Sequence, residues 1–405
     1  MSHLLYRKDY AMGGQQPGVS VTESTFIVQN STIESAVPLF IGYTEMQSAI
    51  SPAYVTTFSE YETLFGAPHA GNGVLYYSIK HFFDNGGRGG FVFSLGTYDV
   101  LNDSAPDYIL EMLADPALAQ AIAAEQSITL LAFPDSALLE GGDTARWNQV
   151  WQLMLLLCRL RTGLFAVLDT PDTPDDASQC LSNYNGMNSE SGGAWWPRLV
   201  TPYLKGEEPV VVPPSGAVLA SIQQTDAIRG IWSAPANIRL SQVIRPSYSW
   251  MDASELFHPD AASLNLIRSF PGRGTCLWGC RTLVGSRSAT FRYVQTRRLI
   301  SWCEMNISQL GRMFVFEPNS EITWYKLKGI TTNWLRKLWQ QGGLYGMHEQ
   351  DAFQIQLGLD ETMTQDDIRA GKMIMSIRLA AVSPAEFIDL RLVFSMNASV
   401  SAGSQ

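Results

Sequence analysis

GVLYYSIKHFFDNGGRGGFVFSLG, residues 73–96, reads as a helix, a glycine stop and a strand. Gly86 and Gly87 end the helical pattern as a C-cap does, because glycine alone adopts the left-handed backbone there without strain. FVFSLG is an apolar strand. The NGGRGG run (Asn85–Gly90) is glycine-rich enough to suggest a phosphate cradle, but it follows a helix and precedes a strand. A cradle needs the opposite order, since a helix N-terminus must face the anion. The run is therefore a cap and a turn.

The same pattern extends in both directions. Upstream lie the strand VPLFIGYTE (37–45) and the short helix FSEYETLFG, ending at Gly66. Downstream come a helix over Asp107–Glu125, the strand ITLLAFPD, a helix from Thr144 to Thr162, the strand GLFAVLDTP and a helix opened by TPDD. Apolar strands separated by helices of this length imply parallel crossovers and a sheet covered on both faces. LKGEEPVVVPPSG (Leu204–Gly216) gathers charge, proline and glycine and marks a boundary. Beyond it lie seven of the eleven tryptophans, between Trp232 and Trp339, amid short strands and two helical patterns. The expected fold is an α/β domain with a largely parallel sheet, followed by an α+β domain.

Both ends carry extended segments. In EFIDLRLVFSMN (Glu386–Asn397), Ile388, Leu390, Leu392, Phe394 and Met396 fall on one face of a strand, with Asp389, Arg391, Ser395 and Asn397 on the other. PGVSVTESTFIVQ (Pro17–Gln29), with Val19 and Val21, is β-branched after a glycine-rich, polar leader. Such strands either close the chain's own sheet or pair with the edge of another subunit.

With 405 residues the chain is long for a single core. Only 16% of residues are charged, a low share for a freely exposed surface, so much of that surface is expected to be covered. The net charge of −10 argues against nucleic acid as partner unless a local basic patch exists. No apolar run reaches transmembrane length, and MSHLLYRKDYAMGGQQ lacks the pattern of a signal peptide, so synthesis in a cytoplasm is expected. Five cysteines form neither an even framework nor a CxxC, and are read as buried thiols.

Catalytic vocabulary is sparse. Asp135 and Asp169 each follow a predicted parallel strand, where α/β sheets carry ligand sites, and an enzyme or ligand-binding protein would start there. No nucleophile elbow, HExxH or strand-to-helix glycine loop accompanies them, and such aspartates commonly cap the next turn. FPGRGTCLWG fails GxGxxG, because Leu277 stands where the third glycine is required. The five histidines show no metal or catalytic spacing. No cofactor and no metal is expected.

ITWYKLKGITTNWLRKLWQQ (Ile322–Gln341) departs from the acidic background. Trp324, Leu327, Trp334, Leu335, Leu338 and Trp339 gather on one helical face, and Lys326, Arg336 and Lys337 project opposite. Lys328 falls within the apolar stripe and Gly329 follows it, so a break is expected there. The segment is either an amphipathic core helix with a solvated face or a docking helix for an acidic partner.

Several stretches together resemble the contractile tail sheath family of phage tails, R-type bacteriocins and extracellular contractile injection systems. They are PGVSVTE, VTTFSEYETLFGAP, YYSIKHFFDNGG, PPSGAVLASIQQTDAIRGIWSAPAN, GTCLWGCRTL, FRYVQTRRL, FVFEPN, LRKLWQQGGLYG, TQDDIRAGK and AAVSPAEFIDLRL, in the family's order. Residues 101–204 match no motif of that family. The resemblance implies a structural protein without an active site, with subunits in stacked six-membered rings around an inner tube. It implies strand-exchange arms at 1–28 and 386–405, bearing Val19, Val21, Ile388, Leu390, Leu392, Phe394 and Met396. An outer α/β domain at 29–208 and an inner sheath core at 209–385 would lie between them. The basic helix with Lys326, Arg336 and Lys337 would face the tube. Implied partners are further copies of the chain, the tube protein, baseplate and tail-terminator proteins, with no nucleic acid and no membrane. Assembly in a bacterial cytoplasm, as part of a phage tail or a released extracellular particle, follows from the same likeness. An enzyme using Asp135 and Asp169, or a static filament or shell protein, is the alternative.

Overall fold

In β1 (Pro38–Thr44), Leu39, Ile41 and Tyr43 enter one core while Phe40 enters another, so the strand is buried on both sides. The computed structural model describes residues 32–68, 73–99, 105–139, 141–184, 186–249, 256–258, 261–285, 288 and 290–382. After β1 come β2 (Ala53–Val55), α1 (Phe58–Phe65), α2 (Val74–Asp84), β3 (Gly90–Thr97), α3 (Ala105–Leu113), α4 (Pro116–Ala124) and β4 (Leu130–Ala132). Next are α5 (Thr144–Leu157), β5 (Phe165–Leu168), α6 (Pro174–Asn183), β6 (Gly192–Trp196), β7 (Leu199–Lys205), β8 (Glu208–Val212) and α7 (Ser215–Arg229). The remainder holds β9 (Ile238–Arg239), β10 (Arg245–Pro246), β11 (Asn265–Phe270), β12 (Gly274–Leu277), α8 (Val294–Arg312), α9 (Glu321–Gln340), α10 (Glu349–Ala352), β13 (Phe353–Gln356), α11 (Gln365–Arg369) and β14 (Ser376–Leu379).

A nine-stranded mixed sheet has the order β2-β3-β1-β4-β5-β6-β11-β12-β9. Strands β3 to β11 in that order pair in parallel, and β2, β12 and β9 add antiparallel edges. One face packs on α3–α6 through Trp147, Trp151, Met154, Leu118 and Ile122. The other packs on α1, α2 and α7 through Phe65, Phe82, Ile79, Leu219 and Ile222. Burial on both faces is why these strands read as continuous apolar runs.

Three expectations change. The helix over 107–125 is two helices, because Asp115 caps a new start, accepting from Ala117 N, and Pro116 takes its first position. The helix expected to reach Thr162 ends at Leu157. The expected break at Gly329 is absent: α9 is continuous for 20 residues. A glycine costs a helix about 1 kcal/mol, and burial of Trp324, Leu327, Leu335 and Leu338 along one side outweighs it.

Leu204–Gly216 forms the β7–β8 hairpin and the start of α7. The large sheet continues past it, since β11, β12 and β9 join the parallel strands. Separately, α8, α9, β13 and β14 enclose a smaller core of Leu299, Cys303, Leu335, Leu338 and Phe353. Both terminal arms, with Val19, Val21 and Ile388–Met396, lie outside the described residues.

Candidate functional site

Asp135 and Asp169 stand at strand ends as the sequence implies, yet each serves a helix far away in the chain. Asp135 accepts from Tyr43 N at 2.6 Å and from Leu75 N, in the first turn of α2, at 2.9 Å. Asp169 accepts from Ser215 N, the first residue of α7, at 2.9 Å. Neither helix has a side-chain cap of its own, since Gly73 and Pro214 occupy the N-cap positions. The positive end of the helix dipole favours a carboxylate there, while burial pushes both groups up to about 7. A Cβ at Gly42 would lie 2.6 Å from Asp135 Oδ2, so the carboxylate itself fills the crevice beside β1. Both side chains are buried structural caps remote in sequence from the helices they hold, not caps of their own next turns.

Helix α9 separates its charges. Lys326 and Lys337 are exposed, and eleven residues of helix place them on one stripe about 16 Å apart. Exposed Ile322 and Tyr325 neighbour that stripe. Arg336 is engaged elsewhere: its Nε and Nη2 donate to Glu349 at 2.5 and 3.0 Å, and Nη1 donates to Asn333. Lys328 lies 3.7 Å from Glu361. Sequence reasoning grouped Arg336 with the lysines because Glu349, on α10, is not visible in the pattern of α9.

Helix α8 anchors both ends of the described chain. Trp302 Nε1 donates to Ile33 O at 2.7 Å, and Ile33 N donates to Asn306 Oδ1 at 3.1 Å. Arg298 donates to both oxygens of Asp226 on α7, at 3.1 and 2.7 Å, and to Ser35 O at 2.8 Å. Ser35 Oγ closes the set on Asp226 at 2.6 Å. The pair is buried, with side chains 3% and 5% exposed, so it is shielded from the screening that weakens surface ion pairs. At the other end Thr296 Oγ1 donates to Val382 O at 3.4 Å. This clamp was missed in the sequence. Its only signal is that Arg298 occupies the apolar stripe between Val294 and Trp302, at i+4 spacing.

Strand β14, which leads toward residue 382, pairs only with β13 among the described residues. Beside it runs a groove of about 790 Å³ lined by Ile307, Phe314, Leu327, Met373, Ile377 and Leu379. Among the described residues no helix is long and apolar enough to cross a membrane, and no cluster of ligating side chains fits a metal ion.

Comparison with known proteins gives concordant results. A family model described as the phage tail sheath C-terminal domain matches residues 286–395. The tail sheath protein of Vibrio phage KVP40 is 26% identical over 186 residues, 45% of this chain. The matched region spans only 26% of that phage protein's length. A chain in the cryo-EM structure of the anti-feeding prophage baseplate in the contracted state is 39% identical, with a TM-score of 0.85. That match covers 95% of this chain and 100% of the other. A chain in the contracted helical sheath of the anti-feeding prophage is 31% identical with a TM-score of 0.70, covering 94% of this chain and 99% of the other.

Proposed function

The chain belongs to the contractile tail sheath family, and on that premise we propose that it polymerises in stacked hexameric rings around an inner tube and contracts to drive the tube through a target envelope. The observation that carries this reading is the near full-length likeness to a chain of a contracted assembly. Residues 1–28 and 386–405 act as strand-donating arms, with the nine-stranded sheet and its helices outward and the smaller core of α8, α9, β13 and β14 inward. The open side of β14 supports strand addition, because an unpaired edge offers a row of backbone donors and acceptors to a neighbour. The apolar face Ile388, Leu390, Leu392, Phe394 and Met396 matches the groove beside it.

Backbone pairing suits contraction, since flexible arms keep a mesh connected while rigid subunits rotate. The extended sheath is then a kinetically trapped array whose subunits gain contacts on moving outward. Lys326 and Lys337 dock an acidic tube surface; exposed pairs of about 0–1 kcal/mol each are weak enough to release. Assembly takes place in a bacterial cytoplasm.

Negative-stain microscopy of the purified full-length protein tests the reading. Hollow ribbed tubes are expected from the intact chain, and a folded monomer from one lacking 386–405. Tubes from the truncated chain would remove the arm assignment, and an intact chain that stays monomeric would remove the sheath reading.

A further inference from the structure

Charge is segregated along the chain. Residues 261–303 carry seven arginines and no acid, although the whole chain has a net charge of −10. Residues 338–368 carry six acids and neither lysine nor arginine. Arg281 and Arg298 of that run are buried in the fold, while the β11–β12 hairpin carries Arg268 and Arg273.

The hairpin turn is the FPGRGTCLWG segment that fails the nucleotide-binding pattern. Gly272 and Gly274 both adopt positive φ, at 73° and 78°, and hold Arg273 exposed at the tip between them. Arg268 on β11 and Arg239 on β9 are each in register with Cys276 of the strand between them, so all three point to one face. Phe270 and Trp278 share that face by alternation, their ring centroids 4.6 Å apart. Arg268 lies 5.3 Å above the Phe270 ring and Arg273 5.8 Å from it. Arg273 also donates to Asn237 Oδ1 at 2.6 Å. Stacking and that bond fix the guanidinium groups in place, which lowers the entropy lost when they meet a carboxylate. No carboxylate among the described residues pairs with Arg239 or Arg273.

We propose that this arginine–aromatic patch docks the acidic segment 349–367 of a second copy of the chain. The inference rests on the self-assembly proposed above and adds a named contact to it. Asp351 and Asp360 are exposed on that segment; Asp366 is exposed beside Arg369 at 3.4 Å, and Glu361 half exposed beside Lys328 at 3.7 Å, so both are surface pairs that a second cation can share. Within one chain no ion pair among the described residues joins the two regions. A contact between two different patches of identical subunits is heterologous, and repeats as a ring or a helix. Opposite charges set its register.

The test is polymerisation of the purified full-length chain, followed by sedimentation at rising salt. Arg239→Glu with Arg273→Glu should raise the concentration needed for polymerisation by about tenfold, as like charges meet. Arg239→Gln with Arg273→Gln should raise it less and flatten its salt dependence, and the two Arg→Lys changes, which keep the charge but lose the stacking, should raise it least. Circular dichroism of each monomer checks the fold; if the glutamate variant unfolds, the glutamine variant carries the decision. Wild-type tubes with unaltered assembly of the folded variants would overturn the patch and leave the sheath reading standing. A wild-type chain that stays monomeric would overturn both. In polymers mixed from isotopically distinct chains, carbodiimide should couple the new amine of Arg273→Lys to Asp351, Asp360 or Asp366 of another copy. Coupling only to other carboxylates would overturn the acidic segment as occupant.

Discussion

Asp135 accepts the backbone N–H of Leu75 at 2.9 Å across 60 residues of sequence, so the end of β4 holds the start of α2. Its second oxygen takes Tyr43 N at 2.6 Å. Asp135→Asn offers one acceptor where two are needed and turns an amide toward a donor. Leaving a buried N–H without an acceptor costs about 1–3 kcal/mol. Thermal denaturation of the unassembled chain should show a lowered melting temperature; an unchanged one would contradict the capping role.

His81 gives a pH-dependent contribution. It is buried on α2 with Nε2 3.1 Å from Ser241 O, and burial pushes its imidazole down to about 4, against smaller opposing effects of Ser241 and Asp84. With the folded value below the unfolded one, the stabilisation is present above pH 6.5 and is lost as pH falls through 4. Asp135 and Asp169, raised to about 7, act with the opposite sign: their stabilisation is full below their unfolded value and is lost as pH rises through 7. Comparing His81→Gln with wild type isolates the histidine. The variant should lose less stability than wild type between pH 6.5 and 4, by about 3 kcal/mol at most; parallel curves would contradict it.

Arg298→Met leaves Asp226 buried with Ser35 as its remaining partner. Breaking one half of a buried pair costs about 3–5 kcal/mol, whereas replacing both halves by apolar side chains is often close to neutral. Arg298→Met with Asp226→Leu should therefore recover much of the loss in chemical denaturation. The double variant still lacks the Arg298 bond to Ser35 O, so limited proteolysis near Ile33 should be faster than in wild type. Equal cleavage rates would show that Trp302 and Asn306 hold this segment without help.

Lys326→Glu with Lys337→Glu leaves the buried side of α9 and the Arg336–Glu349 pair intact. Sheath assembled with its tube should then appear as empty tubes by electron microscopy. Normally loaded particles would refute the docking face. Arg336→Glu is a poorer probe, because it places a second acid beside Glu349.

How much of this was legible depends on whether a feature is local. The alternation from β1 to α6 could be read because apolar strands and capped helices signal themselves, as Thr173 does by accepting from Asp176 N at the start of α6. The break before Pro116 is itself a local signal, an N-capping aspartate followed by proline at the first helical position. Strand partnership was not legible: Asn265 of β11 sits in register with Trp195 of β6 across 70 residues, and no local pattern encodes that distance. The two aspartate caps and the Arg298–Asp226 pair share this property, each being half of an arrangement completed by another segment. The basic stripe on α9 was legible as a helix face, and its division into paired and unpaired cations was not.

Thr296, Trp302 and Asn306 hold the two ends of the described chain within about 15 Å along one helix. A pull on either end enters at α8 and can leave by the other without crossing the nine-stranded sheet. In the proposed polymer, load passing between the two arms would therefore bypass that sheet.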